Sequence, residues 1–182
     1  MGVNYQGVLH GFQTFIPHMV EHGEESHLMT TVSLAGLLPG SGTYGVSKHA
    51  VMALTEAARN DLLARGANVS VSALCPGFVD TNIDKSERNR PTYLTHQDVS
   101  LDESGISRVS QLLRRGKQPS EIADIVFEAI KKGIFYILPH PAWDEMLRDR
   151  FDQMLSREPL SKPSPDQMPR IFMPRDEGET YN

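Results

Sequence analysis

The chain has 182 residues, of which 39% are hydrophobic and 23% charged, enough for one domain with a core and too apolar for a compositionally disordered polymer. Eighteen Lys and Arg stand against 23 Asp and Glu, a formal net charge of -5 without a basic block, which argues against a protein that binds nucleic acid by neutralising phosphates. The single cysteine, Cys75, excludes an intramolecular disulfide and a cysteine zinc cluster. No apolar run approaches the ~20 residues of a membrane span, and the first residues lack a basic segment followed by an apolar one, so the expected protein is cytoplasmic, neither membrane-bound nor secreted.

Val8, Phe12, Phe15, Ile16 and Met19 recur at helical spacing and predict an amphipathic helix over 4–21. Pro17 lacks an amide donor and is expected to kink that helix or to lie near its end. The short run Leu28 to Ser33, between turn formers, suits a buried strand. After a loop rich in Gly and Pro, Val51, Leu54, Ala58 and Leu62 mark one face of a long helix over 43–64, with Gly66 where a C-terminal cap belongs. Asn68 to Cys75 reads as a second strand, halted by Pro76 and Gly77.

Residues 80–118 are polar, weakly periodic and longer than an ordinary connection, which predicts a mobile lid or binding loop. Pro119 at a first helical position, then Ile122, Ile125, Val126, Ala129 and Ile130 on one face and Gly133 beyond, predict a further helix. A short strand over 134–138 follows, then an apolar stripe from Trp143 to Leu155. Beyond Arg157 the prolines at 159, 163, 165, 169 and 174 exclude regular structure, so the expected division is a domain over 1–157 and a Pro-rich tail over 158–182. Strands alternating with helices predict an α/β fold, a parallel sheet flanked by helices, because parallel neighbours need helical crossovers.

Residues that carry chemistry gather at the start of the long helix, in Tyr44-Gly-Val-Ser-Lys48. Tyr44 and Lys48 stand on one helical face. An ammonium beside a phenol favours the phenolate and readies the pair for general acid/base work. Taken alone, the spacing is a weak pattern that fits a plain surface pairing far better, and only its context raises it. Ser33-Leu-Ala-Gly closes the preceding strand, and Leu74-Cys-Pro76-Gly77-Phe-Val79-Asp-Thr81 closes the next.

Together these segments resemble the short-chain dehydrogenase/reductase family, and Val3-Asn4-Tyr-Gln-Gly7-Val is similar to the helix that carries the family's catalytic asparagine. The resemblance extends over roughly residues 3 to 155. It implies a partial doubly wound, Rossmann-like sheet and an NAD(P)-dependent oxidoreductase acting on a small-molecule carbonyl or alcohol, with NAD and NADP both open. Tyr44 would exchange the proton at the substrate oxygen, and Ser33 would hydrogen-bond that oxygen. Lys48 would assist Tyr44 and hold the nicotinamide ribose, while Asn4 would support a proton relay. Pro76, Gly77, Val79 and Thr81 would line the cofactor, residues 80–118 would form the substrate loop, and the helices over 4–21 and 43–64 would join subunits of a homo-oligomer.

The family's glycine-rich phosphate turn and the acidic residue for the adenosine ribose have no counterpart in these residues. The sequence therefore reads as the C-terminal two-thirds of such an enzyme, truncated at its N-terminus, and the isolated chain is expected to turn nothing over. One alternative is a non-catalytic fragment that binds a partner. Another is a zinc hydrolase, since His18-Met-Val-Glu21-His22 fits a His-x-x-Glu-His pattern, although Pro17 undermines the helix it needs. Cys75 is expected to be a buried apolar residue and His49 a packing or surface residue; the His140 and Trp143 pair, near Pro139 and Pro141, is placed to touch substrate, but core packing is the expected role of Trp143.

Overall fold

A computed structural model of the protein describes residues 1–89, 91, 93 and 103–159. The first helix forms in two pieces, a π-helical turn over Gly2–Gln6 that runs into α1 (Gly7–His22). Pro17 does not end it: the carbonyl left without a donor belongs to Gln13, on the exposed side, and the helix stops only where Gly23 turns left-handed at φ 72°. Strand β1 (Ser26–Thr31) starts earlier than its apolar content suggests, and Val32 and Leu34 extend its pairing by donating to the carbonyls of Leu74 and Pro76. Next come a 3-10 turn over Leu34–Gly36 and the long α2 (Gly42–Ala64).

The end of α2 follows from Gly66, whose φ of 63° lets its amide donate to Leu63 while the Ala67 amide donates to Leu62. Strand β2 (Val69–Leu74) lies parallel to β1, Ser26 beside Val69 and Thr31 beside Leu74. Within 80–118 the described residues depart from the expected irregular loop, and the part of that expectation that falls on 90, 92 and 94–102 lies outside them. A 3-10 segment spans Ile83–Asn89, and α3 (Glu103–Arg114) is a regular helix. Helix α4 (Pro119–Lys131) begins at the predicted proline and is stopped by Gly133, in the same manner as α2. Strand β3 (Tyr136–Ile137), a 3-10 turn over Pro141–Trp143 and α5 (Asp144–Ser156) complete the described fold. From residue 160 onward the expected tail lies outside the described residues.

The sheet has three parallel strands in the order β1-β2-β3, with helices on both faces as the alternation predicts. On one face Val32, Val51, Met52, Ala73 and Cys75 form a core with Tyr5 and Val8 packed against it, and Leu62, Val69 and Val71 extend it under α1. On the other face α4 covers β2 and β3 through Ile122 and Ala129 against Leu74 and Ile137. All three strands run toward the same end of the sheet, so the loops leaving them converge there, where open α/β sheets bind their ligands. No helix among the described residues is long and apolar enough to cross a membrane.

Candidate functional site

The loops at the carboxyl ends of the strands, with α3 and the start of α2, enclose a cavity of about 720 Å³. Ser33, Tyr44, Lys48, Pro76, Gly77, Val79 and Thr81 all line it. Its first wall is the turn after β1. Ser33 holds φ 132° and ψ 157°, a conformation that glycine adopts freely and other residues occupy only under strain. Its hydroxyl accepts from the Ala35 amide at 3.1 Å, and its proton points toward the Pro76 carbonyl at 3.5 Å. Gly36 lets this turn sit against α2: a Cβ there would come within 2.5 Å of Val32 Cγ1 and 2.8 Å of the Lys48 carbonyl oxygen.

Tyr44 and Lys48 come from the opening turns of α2. The Lys48 ammonium lies 5.7 Å from the centre of the Tyr44 ring and donates to the Thr31 carbonyl at 3.1 Å. Burial pushes Lys48 below the ordinary lysine range, with Cys75 pulling weakly the other way. Ser47, between them in the motif, is buried; its hydroxyl donates to the Tyr44 carbonyl at 2.7 Å and accepts from the Asn4 amide at 3.1 Å. Asn4 thus meets this site through Ser47 and is not among the residues that line the cavity.

The second wall follows β2. His140 clamps it, its Nδ1 accepting from the Gly77 amide at 3.1 Å and its Nε2 hydrogen donating to the Phe78 carbonyl at 3.0 Å, which fixes the neutral tautomer protonated on Nε2. Phe78 and Asp80 also pair with Lys117, and the approach is so close that a Cβ at Gly116 would overlap the Phe78 carbonyl. Arg114 reaches from α3 to Asp80 and Asp84. The Ser110 hydroxyl donates to Asp84 and, with Arg114, holds its carboxyl below the usual range. The third wall comes from beyond β3, where Trp143 lines the cavity while packing on the Leu34, Leu38 and Leu147 cluster.

Trp143 therefore serves the core, as its sequence context suggests, and faces the cavity as well. The His140 clamp and the α3 contacts escaped sequence reasoning. The proline-flanked His140 and Trp143 just past a strand were the available signal. Cys75 is fully buried, and burial pushes its thiol up to about 12, in keeping with an inert apolar role. His49 is a packing residue, bonded to the Gly45 carbonyl and to Arg150 of α5. His18 and His22 meet edge to face, His22 accepts from the Glu24 amide, and no group of three possible metal ligands occurs among the described residues.

The model of the family described as short chain dehydrogenase matches residues 1–92. The chain is 29% identical over 163 residues to a CLA biosynthesis dehydrogenase/reductase of Lactiplantibacillus plantarum, covering 86% of this chain and 57% of that protein. It is 32% identical over 161 residues to a 1-deoxy-11-beta-hydroxypentalenate dehydrogenase of Streptomyces avermitilis, with coverage of 86% and 52%. Among solved structures, a short chain dehydrogenase/reductase from Burkholderia phymatum, in complex with NAD, superposes with a TM-score of 0.80 at 40% identity, over 90% of this chain and 60% of that one. The chain thus spans a little over half the length of the relatives it matches. The matched residues 1–92 make up half of the chain and run from Asn4 past Thr81, through the segments that bring Ser33, Tyr44, Lys48 and the turn from Pro76 to Thr81 to the cavity, and the chain belongs to the short-chain dehydrogenase family.

Proposed function

We propose that this cavity is the reaction centre of an NAD(P)-dependent oxidoreductase that interconverts a carbonyl and an alcohol. One observation carries the reading: Ser33, Tyr44 and Lys48, from two separate elements, line one cavity with the turn from Pro76 to Thr81. In the reducing direction the Tyr44 hydroxyl gives its proton to the substrate oxygen, and in the oxidising direction it takes that proton back. Ser33 donates a hydrogen bond to the same oxygen and aligns it with Tyr44. The Lys48 ammonium favours the phenolate left after proton transfer. Asn4 acts through Ser47, which steadies the turn that presents Tyr44.

The donor set fits the nicotinamide-ribose end of a dinucleotide. Lys48 and the Thr81 hydroxyl would hold the ribose and carboxamide, and the backbone from Pro76 to Val79 would support the ring. When bound, the cofactor supplies or takes the hydride at the carbonyl carbon. These residues face the half that NAD and NADP share, so the reading extends to both. Ile83, Asp84, Val109 and Leu113, from the described parts of 80–118, line the substrate end, and the division into a domain over 1–157 and a tail over 158–182 belongs to the same proposal.

Trp143, the only tryptophan among these 182 residues, allows a direct test. Its emission overlaps the absorption of a reduced nicotinamide, so NADH or NADPH added to the protein isolated from its own cells is expected to quench it saturably, and Lys48→Ala to weaken that binding about tenfold or more. Absence of quenching with either cofactor contradicts the reading. A second reading, a chain that acts by joining another copy or a homologue, is favoured by the apolar residues Phe15, Val20, Val46 and Leu63 exposed on α1 and α2. These helices are also the proposed contact of a catalytic oligomer. Sedimentation of wild type against Phe15→Glu tests that contact.

A further inference from the structure

Resting on the oxidoreductase reading, we infer that the substrate is an uncharged ketone or secondary alcohol with a bulky aromatic or alicyclic body, held by an apolar wall built from Leu34, Leu38, Phe78, Leu113, Trp143 and Met146. These side chains come from the turns after all three strands and from α3 and α5, and all line the cavity that holds Tyr44. Polar side chains are few, and Ser33, Tyr44 and Lys48 are grouped at the catalytic end. Such a cavity, large, apolar and with convergent polar groups at one end, orients a drug-sized ligand by its single polar function.

Charge argues the same way. Among the described residues that line the cavity, the charged side chains are Lys48 and Asp84. Lys48 is bonded to the Thr31 carbonyl and belongs to the catalytic group. Asp84 accepts from Ser110 at Oδ2 and pairs with the positive charge of Arg114 at 3.6 Å, although its Oδ1 makes no hydrogen bond. Among the described residues, a carboxylate or phosphate on the substrate body would be buried against apolar side chains without a partner, which is strongly unfavourable. Conversely, Met146 is half exposed, at 51%, so an apolar substrate body removes from water a methionine that the protein leaves uncovered. Met146 and Leu38 are therefore specificity-determining residues, distinct from those that handle the proton.

The test uses the tryptophan that forms part of the wall. Trp143 emission is followed while the protein, with and without NAD or NADP, is titrated with 1-cyclohexylethanol, ethylcyclohexane, 2-propanol and cyclohexyl(hydroxy)acetate. The inference expects a saturable response to the cyclohexyl alcohol, binding of the carboxylate weaker by about tenfold or more, and no response to 2-propanol. Met146→Glu, a change at a half-exposed position, is expected to weaken the cyclohexyl alcohol by a similar factor while far-ultraviolet circular dichroism stays unchanged. Equal or tighter binding of the carboxylate overturns the inference, and so does a lack of response to both cyclohexyl alcohol and hydrocarbon; neither result touches the oxidoreductase reading if 2-propanol or the carboxylate still binds in a Tyr44-dependent way. If the alcohol and ethylcyclohexane bind alike, and Tyr44→Phe and Ser33→Ala change neither, the apolar pocket stands and the oxidoreductase reading falls.

Discussion

The cavity has two sides built on different principles. On the side of α2, Ser33, Tyr44 and Lys48 stand on a core of fully buried residues such as Val32, Val51 and Ala73, and the turn that carries Ser33 lies in backbone contact with the helix that carries Lys48. On the side of α3, the wall is tied down by individual polar contacts: Arg114 to Asp80 and Asp84, Ser110 to Asp84, and His140 to the backbone of Gly77 and Phe78. Apolar packing is dense and tolerates little displacement, whereas each polar tie contributes only modestly on its own. The side that carries Ser33, Tyr44 and Lys48, proposed to handle the proton, is thereby fixed, and the α3 side, proposed to hold the substrate, can adjust.

The contrast can be broken most sharply at Leu62, 2% exposed in the core beneath α2. Leu62→Ala is expected to lower global stability by about 2–5 kcal/mol, read as a fall in the urea midpoint. The α3 side should respond differently. Arg114→Ala is expected to cost less global stability than Leu62→Ala while lowering the protection of the amides across 109–114, because the arginine pins a segment without supporting the core. A global loss as large as that of Leu62→Ala would erase the distinction.

The strain at Ser33 gives a smaller effect of unusual sign. Because its φ of 132° suits glycine, Ser33→Gly is expected to be more stable than Ser33→Ala by about 1 kcal/mol, although both lose the bond to the Ala35 amide. Differential scanning calorimetry of the two variants reads this difference. Smallest is a pH effect at Asp84. Its carboxyl lies below the usual range chiefly through the Ser110 hydroxyl, so the ionised form is favoured by folding. The contribution is complete above the unfolded value near about 4 and is lost as pH falls through the lower folded one. Protection of the α3 amides, relative to their intrinsic exchange rates, should therefore fall below about pH 4, and Ser110→Ala should move that onset upward.

Much of this organisation could be read from the sequence where the determinants are local. Gly66 and Gly133 end their helices by adopting a left-handed conformation, and Pro119 opens α4, each through backbone chemistry confined to a few residues. Tyr44 and Lys48 share a face because a helix repeats every 3.6 residues. What escaped was set by distant partners. Strand β1 takes in Ser26 and His27 because β2 offers them Val69 and Ser70, which no local propensity reveals. Helix α3 looked irregular because its apolar positions are few, and Leu113 finds its cover only once the sheet is folded. The His140 clamp joins residues more than 60 apart in sequence, and Asn4 meets Tyr44 only through Ser47.

The central claim is that Tyr44 transfers the proton in a carbonyl/alcohol interconversion. Its most direct measurement is the steady-state oxidation of 1-cyclohexylethanol, with NAD or NADP, by the protein isolated from its own cells and by the same protein carrying Tyr44→Phe. The account predicts that kcat falls by about 100-fold or more, while the affinity read from Trp143 changes by only several-fold. Turnover undiminished in Tyr44→Phe would contradict it.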